Sequence, residues 1–188
     1  MGKPMVVGVD IDDVLYDWSG RAHALCVAAG IAGDRTRITT WTPYEEYGCP
    51  ADSWHAVIHR GVHEGTLYSA DPLPGAVAAL RALVEAGHHV QLITARGCGE
   101  LADLVQEQTR AWVARHDLAH HGLTFSMDKT VLRTDIFVDD NADNVAHVCA
   151  AGTRGYLMNR PWNAHVEHRD RVHHMEEFVT AVLSEGQR

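Results

Sequence analysis

The segment Asp10-Ile-Asp12-Asp13 sets carboxylates at i and i+2 directly after an apolar run, so the acids gather where the backbone leaves a strand. A second acidic pair, Asp139-Asp140, ends another apolar run, Ile136-Phe-Val. If both ends converge, their mutual repulsion requires a cation, and carboxylate oxygens suit a hard ion such as Mg2+, which keeps room for water and phosphate. Thr94 closes a third apolar run with a hydroxyl able to donate to a phosphoryl oxygen. Lys129, ahead of the Asp135 strand, can place positive charge against an anionic transition state. Taken alone, each acid also reads as a solvated loop or a helix cap.

The elements that must hold these residues alternate. Residues 5–10 read as a central strand buried on both faces. A helix over 76–86, opened by Pro72 and Pro74 and closed by Gly87, leads to a strand over 90–94. A helix over 100–116 follows, then the strand 136–139, a helix over 142–151 ending at Gly152, a strand over 155–158 and a last amphipathic helix over 174–183. This pattern predicts an α/β fold with a Rossmann-like parallel sheet covered by helices on both faces. Between Leu15 and Leu73 the pattern breaks into helical segments near 20–29 and 53–64, separated by a polar turn over 30–37. The expected division is a core of 1–15 and 73–188 with a small helical cap, 16–72, inserted after the first strand and overhanging the carboxyl ends where open α/β sheets bind ligands.

Composition narrows the function. A chain of 188 residues supports one principal core, and 46% hydrophobic with 22% charged residues is ordinary for a globular protein. A formal charge of −9 without a Lys/Arg block argues against a nucleic acid polymer as partner. Cys26, Cys49, Cys98 and Cys149 form no C-x-x-C, and the start carries neither a signal-peptide core nor a membrane-length apolar run, so a cytoplasmic protein with no membrane partner is expected. Gly97-Cys-Gly-Glu-Leu-Ala102 has the outline of a dinucleotide loop but follows an internal strand and reads as a turn into a helix. His55, His59 and His63 recur every four residues, yet Gly61 is expected to interrupt their helix, leaving a polar face.

The ordered set Asp10-x-Asp12, Thr94, Lys129 and Asp139-Asp140, each in its strand context, resembles the haloacid-dehalogenase-like phosphatases. Asp10 to Trp18, Pro72 to Val77, Arg110 to Val113 and Asp128 to Val131 running into Asp135 to Asp143 resemble the 5'(3')-deoxyribonucleotidase family in particular, and Arg160-Pro-Trp-Asn163 looks like a turn of its bacterial members. The resemblance implies a phosphomonoesterase in which Asp10 attacks phosphorus to form an aspartyl-phosphate and Asp12 acts as acid, then base. It also implies Mg2+ held by Asp10, the Asp12 carbonyl and an acid of the Asp139/Asp140 pair, with Asp140 the expected direct ligand and Thr94 and Lys129 on the phosphoryl oxygens. Trp18 falls where the family sets an aromatic residue against the base; Ala95, Arg96, Trp41 and Tyr44 are further substrate-side candidates, and Trp54 with Trp41 and Tyr44 can equally pack inside the cap. Asn141 stands where members often carry Arg, and Thr94-Ala-Arg96 departs from the animal pattern, so Arg96 is expected to supply that charge. The implied partner is a small phosphate monoester, a nucleotide by preference, with a homodimer allowed. A sugar phosphate, or a phospho-receiver module using similar acids, is the rival reading.

Overall fold

A computed structural model describes residues 3–33 and 38–185; residues 34–37, the end of the expected polar turn over 30–37, lie outside the described residues. Six parallel strands make one sheet in the order β3-β2-β1-β4-β5-β6: β1 is Val6–Val9, β2 His89–Thr94, β3 Gly122–Phe125, β4 Ile136–Asp139, β5 Arg154–Met158 and β6 Arg171–Val172. β1 is central because its apolar residues face both ways, and parallel strands buried on both faces need that composition. The side chains of Val7, Val9, Val90, Leu92, Ile136 and Val138 join one core, whereas Ile93 and Phe137, in the alternate register, pack with Val148 in another.

Seven α-helices are described: α1 (Trp18–Ala28), α2 (Pro43–Tyr47), α3 (Ala51–His63), α4 (Ala76–Glu85), α5 (Ala102–Arg115), α6 (Ala142–Ala150) and α7 (Met175–Glu185). Leu80 and Leu83 of α4, Trp112 of α5 and Phe178 and Val182 of α7 fill the first core, and Val148 of α6 fills the second. Helices therefore cover both sides of the sheet. Within the sheet, Gly8 of β1 makes room for its cross-strand neighbour on β4, since a Cβ there would meet Phe137 Cδ2 at 2.3 Å.

The strand order reverses between β1 and β4, and at this switch point the neighbouring crossovers leave toward opposite faces, opening a crevice at the carboxyl ends. The chain after β1 doubles back tightly. Leu15 and Tyr16 both donate to Ile11 O, at 2.8 and 3.0 Å, and Asp13 sits at φ 55°, outside the ordinary range for a residue with a Cβ. Tyr16 then donates from its hydroxyl to Leu67 O at 2.5 Å, tying down the return of the 16–72 segment. That segment has its own small core, in which Ala22, Ile58, Val62 and Leu67 meet Val105 of α5.

Several expectations are corrected. α3 runs through Gly61 instead of breaking there, because α1 approaches so closely that a Cβ at Gly61 would meet Leu25 Cδ1 at 2.5 Å. The intrinsic cost of a helical glycine, ~1 kcal/mol, is offset by that packing. β3, β6 and α2 were not foreseen from the pattern, and α5 starts at Ala102 rather than at residue 100, with Leu101 left-handed at φ 59°. Among the described residues no helix is long and apolar enough to cross a membrane.

Candidate active site

β1 and β4 deliver their terminal acids to one point. Asp10 follows β1, Asp139 ends β4 and Asp140 follows it, and one carboxylate oxygen from each lies within 4.8 Å of the other two. All three are buried, and they form the one acidic or histidine group among the described residues arranged so that it could hold a metal. Lys129, itself buried, reaches in from the loop before β4: Nζ donates to Asp10 Oδ1 at 2.5 Å and to Ile93 O at 2.8 Å, and stands 4.0 Å from Asp139 Oδ2.

Three carboxylates and one ammonium leave an excess of negative charge out of water. Burial raises the proton affinity of Asp10 above the usual carboxylate range, against the pull of Lys129. Burial and the neighbouring Asp10 push Asp139 up to about 7, and burial with Asp139 and Asp10 pushes Asp140 well up. On Lys129, burial works against the charged form but Asp10 and Asp139 outweigh it, so its pKa is raised. A hard divalent cation fits this all-oxygen, over-negative donor set.

The two acids of the β4 end are held differently. Asp139 accepts from the Asn141 amide at 2.8 Å on Oδ1 and from Asn144 Nδ2 at 3.0 Å on Oδ2. Asp140 accepts from Trp162 Nε1 at 2.8 Å on Oδ2, while Asn163 Nδ2 holds its main-chain carbonyl at 2.7 Å. Asn163 is fixed in turn by Arg171, whose Nη1 donates to Asn163 Oδ1 at 2.7 Å. The Arg160-Pro-Trp-Asn163 turn thus orients Asp140 across the sheet, a contact that sequence spacing did not reveal. Asn141 supplies no charge; it caps α6, its Oδ1 accepting from Asp143 and Asn144 amides at 2.9 and 3.2 Å.

Thr94, buried at the end of β2, accepts from the Arg96 amide at 3.2 Å, which leaves its hydroxyl proton uncommitted by that contact. Arg96 is directed onto Asp12 and into three aromatic rings, so its expected service to the carboxylate cluster is replaced by a bond to Asp12. Ala95, half-buried, lies between the two.

Beside the cluster, sharing Asp140 with it and lined also by Asp12, is a cavity of about 290 Å3 walled by Trp18, Trp41, Trp54 and Trp162. Trp18 opens α1 and meets Trp54 with ring centroids 6.2 Å apart; Trp41 meets Trp162 at 5.5 Å. Trp54 lines the cavity, which the sequence left open. Tyr44 does not line it and packs on Trp54 at 6.0 Å, so its expected place against substrate is corrected to a supporting one. A larger cavity of about 450 Å3 adjoins at Asp13, Ser19, Ile38 and Trp162, but contains none of the three clustered acids. His55, His59 and His63 are not part of any metal-holding group among the described residues; His59 lies 3.5 Å from Glu100.

The raised carboxyls give a testable sign. A folded-state pKa of about 7 for Asp139 exceeds the ordinary 3.8, so the folded protein binds this proton more tightly than the unfolded chain. The stabilisation is present at low pH and is lost as pH rises through 7. Scanning calorimetry of chelator-treated protein is expected to give a higher Tm at pH 5.5 than at pH 8, with the gap narrowed by Mg2+ and flattened in Asp139→Asn. Each kcal/mol corresponds to about 2–4 °C for a chain of this size. A metal-free Tm that rises from pH 5.5 to 8 equally in both proteins would contradict the electrostatic account.

Comparison with known proteins agrees with this geometry. A protein of Chlorobaculum tepidum, provisionally named a 5'(3')-deoxyribonucleotidase, is 29% identical over 169 residues, covering 87% of this chain and 83% of its own. Among solved structures, one provisionally named the HAD-hydrolase YfnB, from Bacillus subtilis and bound to magnesium, superposes with a TM-score of 0.63 at 12% identity over 96% of this chain and 100% of that one. A haloacid dehalogenase-like hydrolase of Streptococcus pneumoniae gives a TM-score of 0.61 at 11% identity, covering 95% and 98%. These likenesses establish the fold as haloacid-dehalogenase-like. The family described as 5' nucleotidase, deoxy (pyrimidine), cytosolic type C protein matches residues 4–185, nearly the whole chain. The chain belongs to that family of 5' nucleotidases and is a phosphoric monoester hydrolase.

Proposed function

We propose that the protein is a Mg2+-dependent 5'(3')-nucleotidase that hydrolyses ribo- or deoxyribonucleoside monophosphates through a phosphorylated Asp10. The observation that carries this reading is the joining, at Asp140, of a buried three-carboxylate cluster to a cavity lined by Asp12 and walled by four tryptophans. One half suits a phosphate, the other a planar base.

In this reading Lys129 holds Asp10 by Oδ1 and so orients the carboxylate toward phosphorus. Asp10 attacks, the ester P–O bond breaks, and Asp12 gives its proton to the departing alkoxide. Asp12 then takes a proton from water, whose oxygen attacks phosphorus and releases Asp10 with inorganic phosphate. Dividing the reaction this way replaces one hard displacement with two easier ones. Thr94 and Lys129 donate to the phosphoryl oxygens. Mg2+ would be held by Asp10, Asp140 and the Asp12 carbonyl, where it neutralises phosphoryl charge. Asp140 is favoured over Asp139 as direct ligand because Asp139 already accepts on both oxygens.

The segment 16–72 serves as the cap, with 1–15 and 73–188 as the core, and Trp18, Trp41 and Trp54 of the cap meeting the base. Stacking on an indole is worth ~1–3 kcal/mol per base. Trp18→Ala is therefore expected to raise KM for nucleoside monophosphates by about 5- to 150-fold, while leaving that for a small non-aromatic phosphate ester within a factor of about 3. Steady-state kinetics on both classes checks this, and equal effects would remove Trp18 from the base site. A cytoplasmic location accords with the family's cytosolic description and with four unpaired cysteines.

The deciding experiment is phosphate release from a panel of nucleoside monophosphates and sugar phosphates, with and without Mg2+. Magnesium-dependent release with nucleotides preferred supports the proposal. Preference for sugar phosphates would discard the nucleotidase assignment and retain the phosphatase.

A further inference from the structure

Arg96 is an expensive residue to bury. Its side chain is 0% exposed, and removing a guanidinium from water costs several kcal/mol unless partners compensate. Two sets of partners do so. Its Cζ lies 4.7, 4.4 and 5.3 Å from the ring centroids of Tyr16, Tyr68 and Trp112, and Nε and Nη2 donate to Asp12 at 2.9 and 2.5 Å. Nη1 has no hydrogen-bond partner, so the site was not shaped to satisfy the guanidinium fully. An apolar side chain in the same cage would avoid that loss.

The direction of the fork is informative. Both donors land on one oxygen, Asp12 Oδ1, which leaves Oδ2 outside the guanidinium's grip. Asp12 lines the tryptophan cavity, and its side chain is 28% exposed while Arg96 behind it is sealed. The cage cannot easily turn: Tyr16 is fixed to Leu67 O at 2.5 Å, Trp112 Nε1 to Ala70 O at 2.8 Å, and the Arg96 amide to Thr94 Oγ1 at 3.2 Å.

We propose that Arg96 is a positioning residue for proton transfer, gripping Asp12 by Oδ1 so that Oδ2 is presented to the leaving oxygen of the ester. This rests on the reading of Asp12 as the acid. When Oδ2 carries the proton, Oδ1 is the carbonyl-like acceptor and keeps both bonds from Arg96 throughout the transfer. The role lies outside the set of acids, threonine and lysine assigned to the phosphate, and it explains a buried cation whose fork lands on Asp12 and on none of the three clustered acids.

Acid assistance matters most for a basic leaving group. A nucleoside alkoxide needs the proton; 4-nitrophenolate leaves without it. General acid–base catalysis is worth ~10²–10⁴-fold, so Arg96→Met is expected to lower kcat/KM for a nucleoside 5'-monophosphate at least about tenfold more than for 4-nitrophenyl phosphate. In an Asp12→Asn background, adding Arg96→Met should change neither value further. Arg96→Lys, which keeps a cation in the cage without the fork, should shift the ratio of the two esters in the same direction by less, and it serves if the Met variant does not fold. Equal losses on both esters, or a further loss in the Asp12→Asn background, would overturn the proposal. If Asp12→Asn itself fails to discriminate the esters, the acid role of Asp12 falls first, and the proposal with it.

Discussion

Asp10→Asn is expected to lower kcat by about 10⁴-fold or more, the scale seen when a covalent nucleophile is removed, because an amide cannot displace an alkoxide from phosphorus. The same substitution should leave the fold intact and raise the stability of the metal-free protein. Asp10 is one of three buried carboxylates with oxygens within 4.8 Å of one another, and neutralising one relieves their repulsion. Losing the partner of Lys129 works the other way, although Lys129 retains Ile93 O at 2.8 Å and Asp139 at 4.0 Å. The net sign is therefore predicted for high pH, where ionisation of the acids, and with it their mutual repulsion, is greatest. Measured by phosphate release and thermal unfolding at pH 8 without metal, the variant should be inactive and melt higher than wild type. Residual activity within tenfold of wild type would remove Asp10 from the reaction.

Lys129→Met should carry the second largest effect, and on both counts. Removing one partner of a buried pair leaves the other uncompensated, at ~3–5 kcal/mol. Here the ammonium is the cation facing both Asp10 and Asp139, with its side chain 2% exposed. The loss should be greater at pH 8 than at pH 5.5, since Asp139, pushed up to about 7 by burial and by Asp10, takes up its proton at the lower pH and no longer needs the ammonium. Phosphoryl-charge stabilisation also goes, and deletion of one such donor costs about 10²–10³-fold in kcat. Urea unfolding at the two pH values, with kinetics at saturating Mg2+, checks both parts. A destabilisation that is the same at pH 5.5 and 8 would contradict the charge-balance explanation.

What the sequence disclosed, and what it hid, follows from how local each signal is. The strand ends at Asp10 and Asp139 are legible because a run such as Val6-Val-Gly-Val followed by acid has one economical reading in a parallel sheet. α4 and α6 are legible from the glycines just past their ends. β3 is an edge strand whose four residues, Gly122-Leu-Thr-Phe, are all only half-buried, and β6 has two residues; pairing with β2 and β5 defines them, not composition. Gly61 misleads because the tertiary approach of α1, invisible in the sequence, rewards the missing Cβ.

The site divides in the same way. That Asp10, Asp139 and Asp140 meet could be anticipated from two strands ending in acid. The direction of Arg96 could not, since its cage assembles Tyr16, Tyr68 and Trp112 from three separated stretches. Nor could the bond from Trp162 to Asp140, 22 residues apart across β5. Both are long-range contacts that orient an acid, and only the acids themselves leave a local trace.

The central claim is that Asp10 becomes phosphorylated, and it is tested most directly by trapping. The enzyme is mixed with a nucleoside monophosphate and Mg2+, quenched in acid within the first turnover, and reduced with borohydride, which converts an aspartyl-phosphate to homoserine. Peptide mass spectrometry is predicted to find homoserine at position 10 and at no other aspartate. Product formed in that turnover with Asp10 unmodified, or homoserine at a different position, would contradict the account.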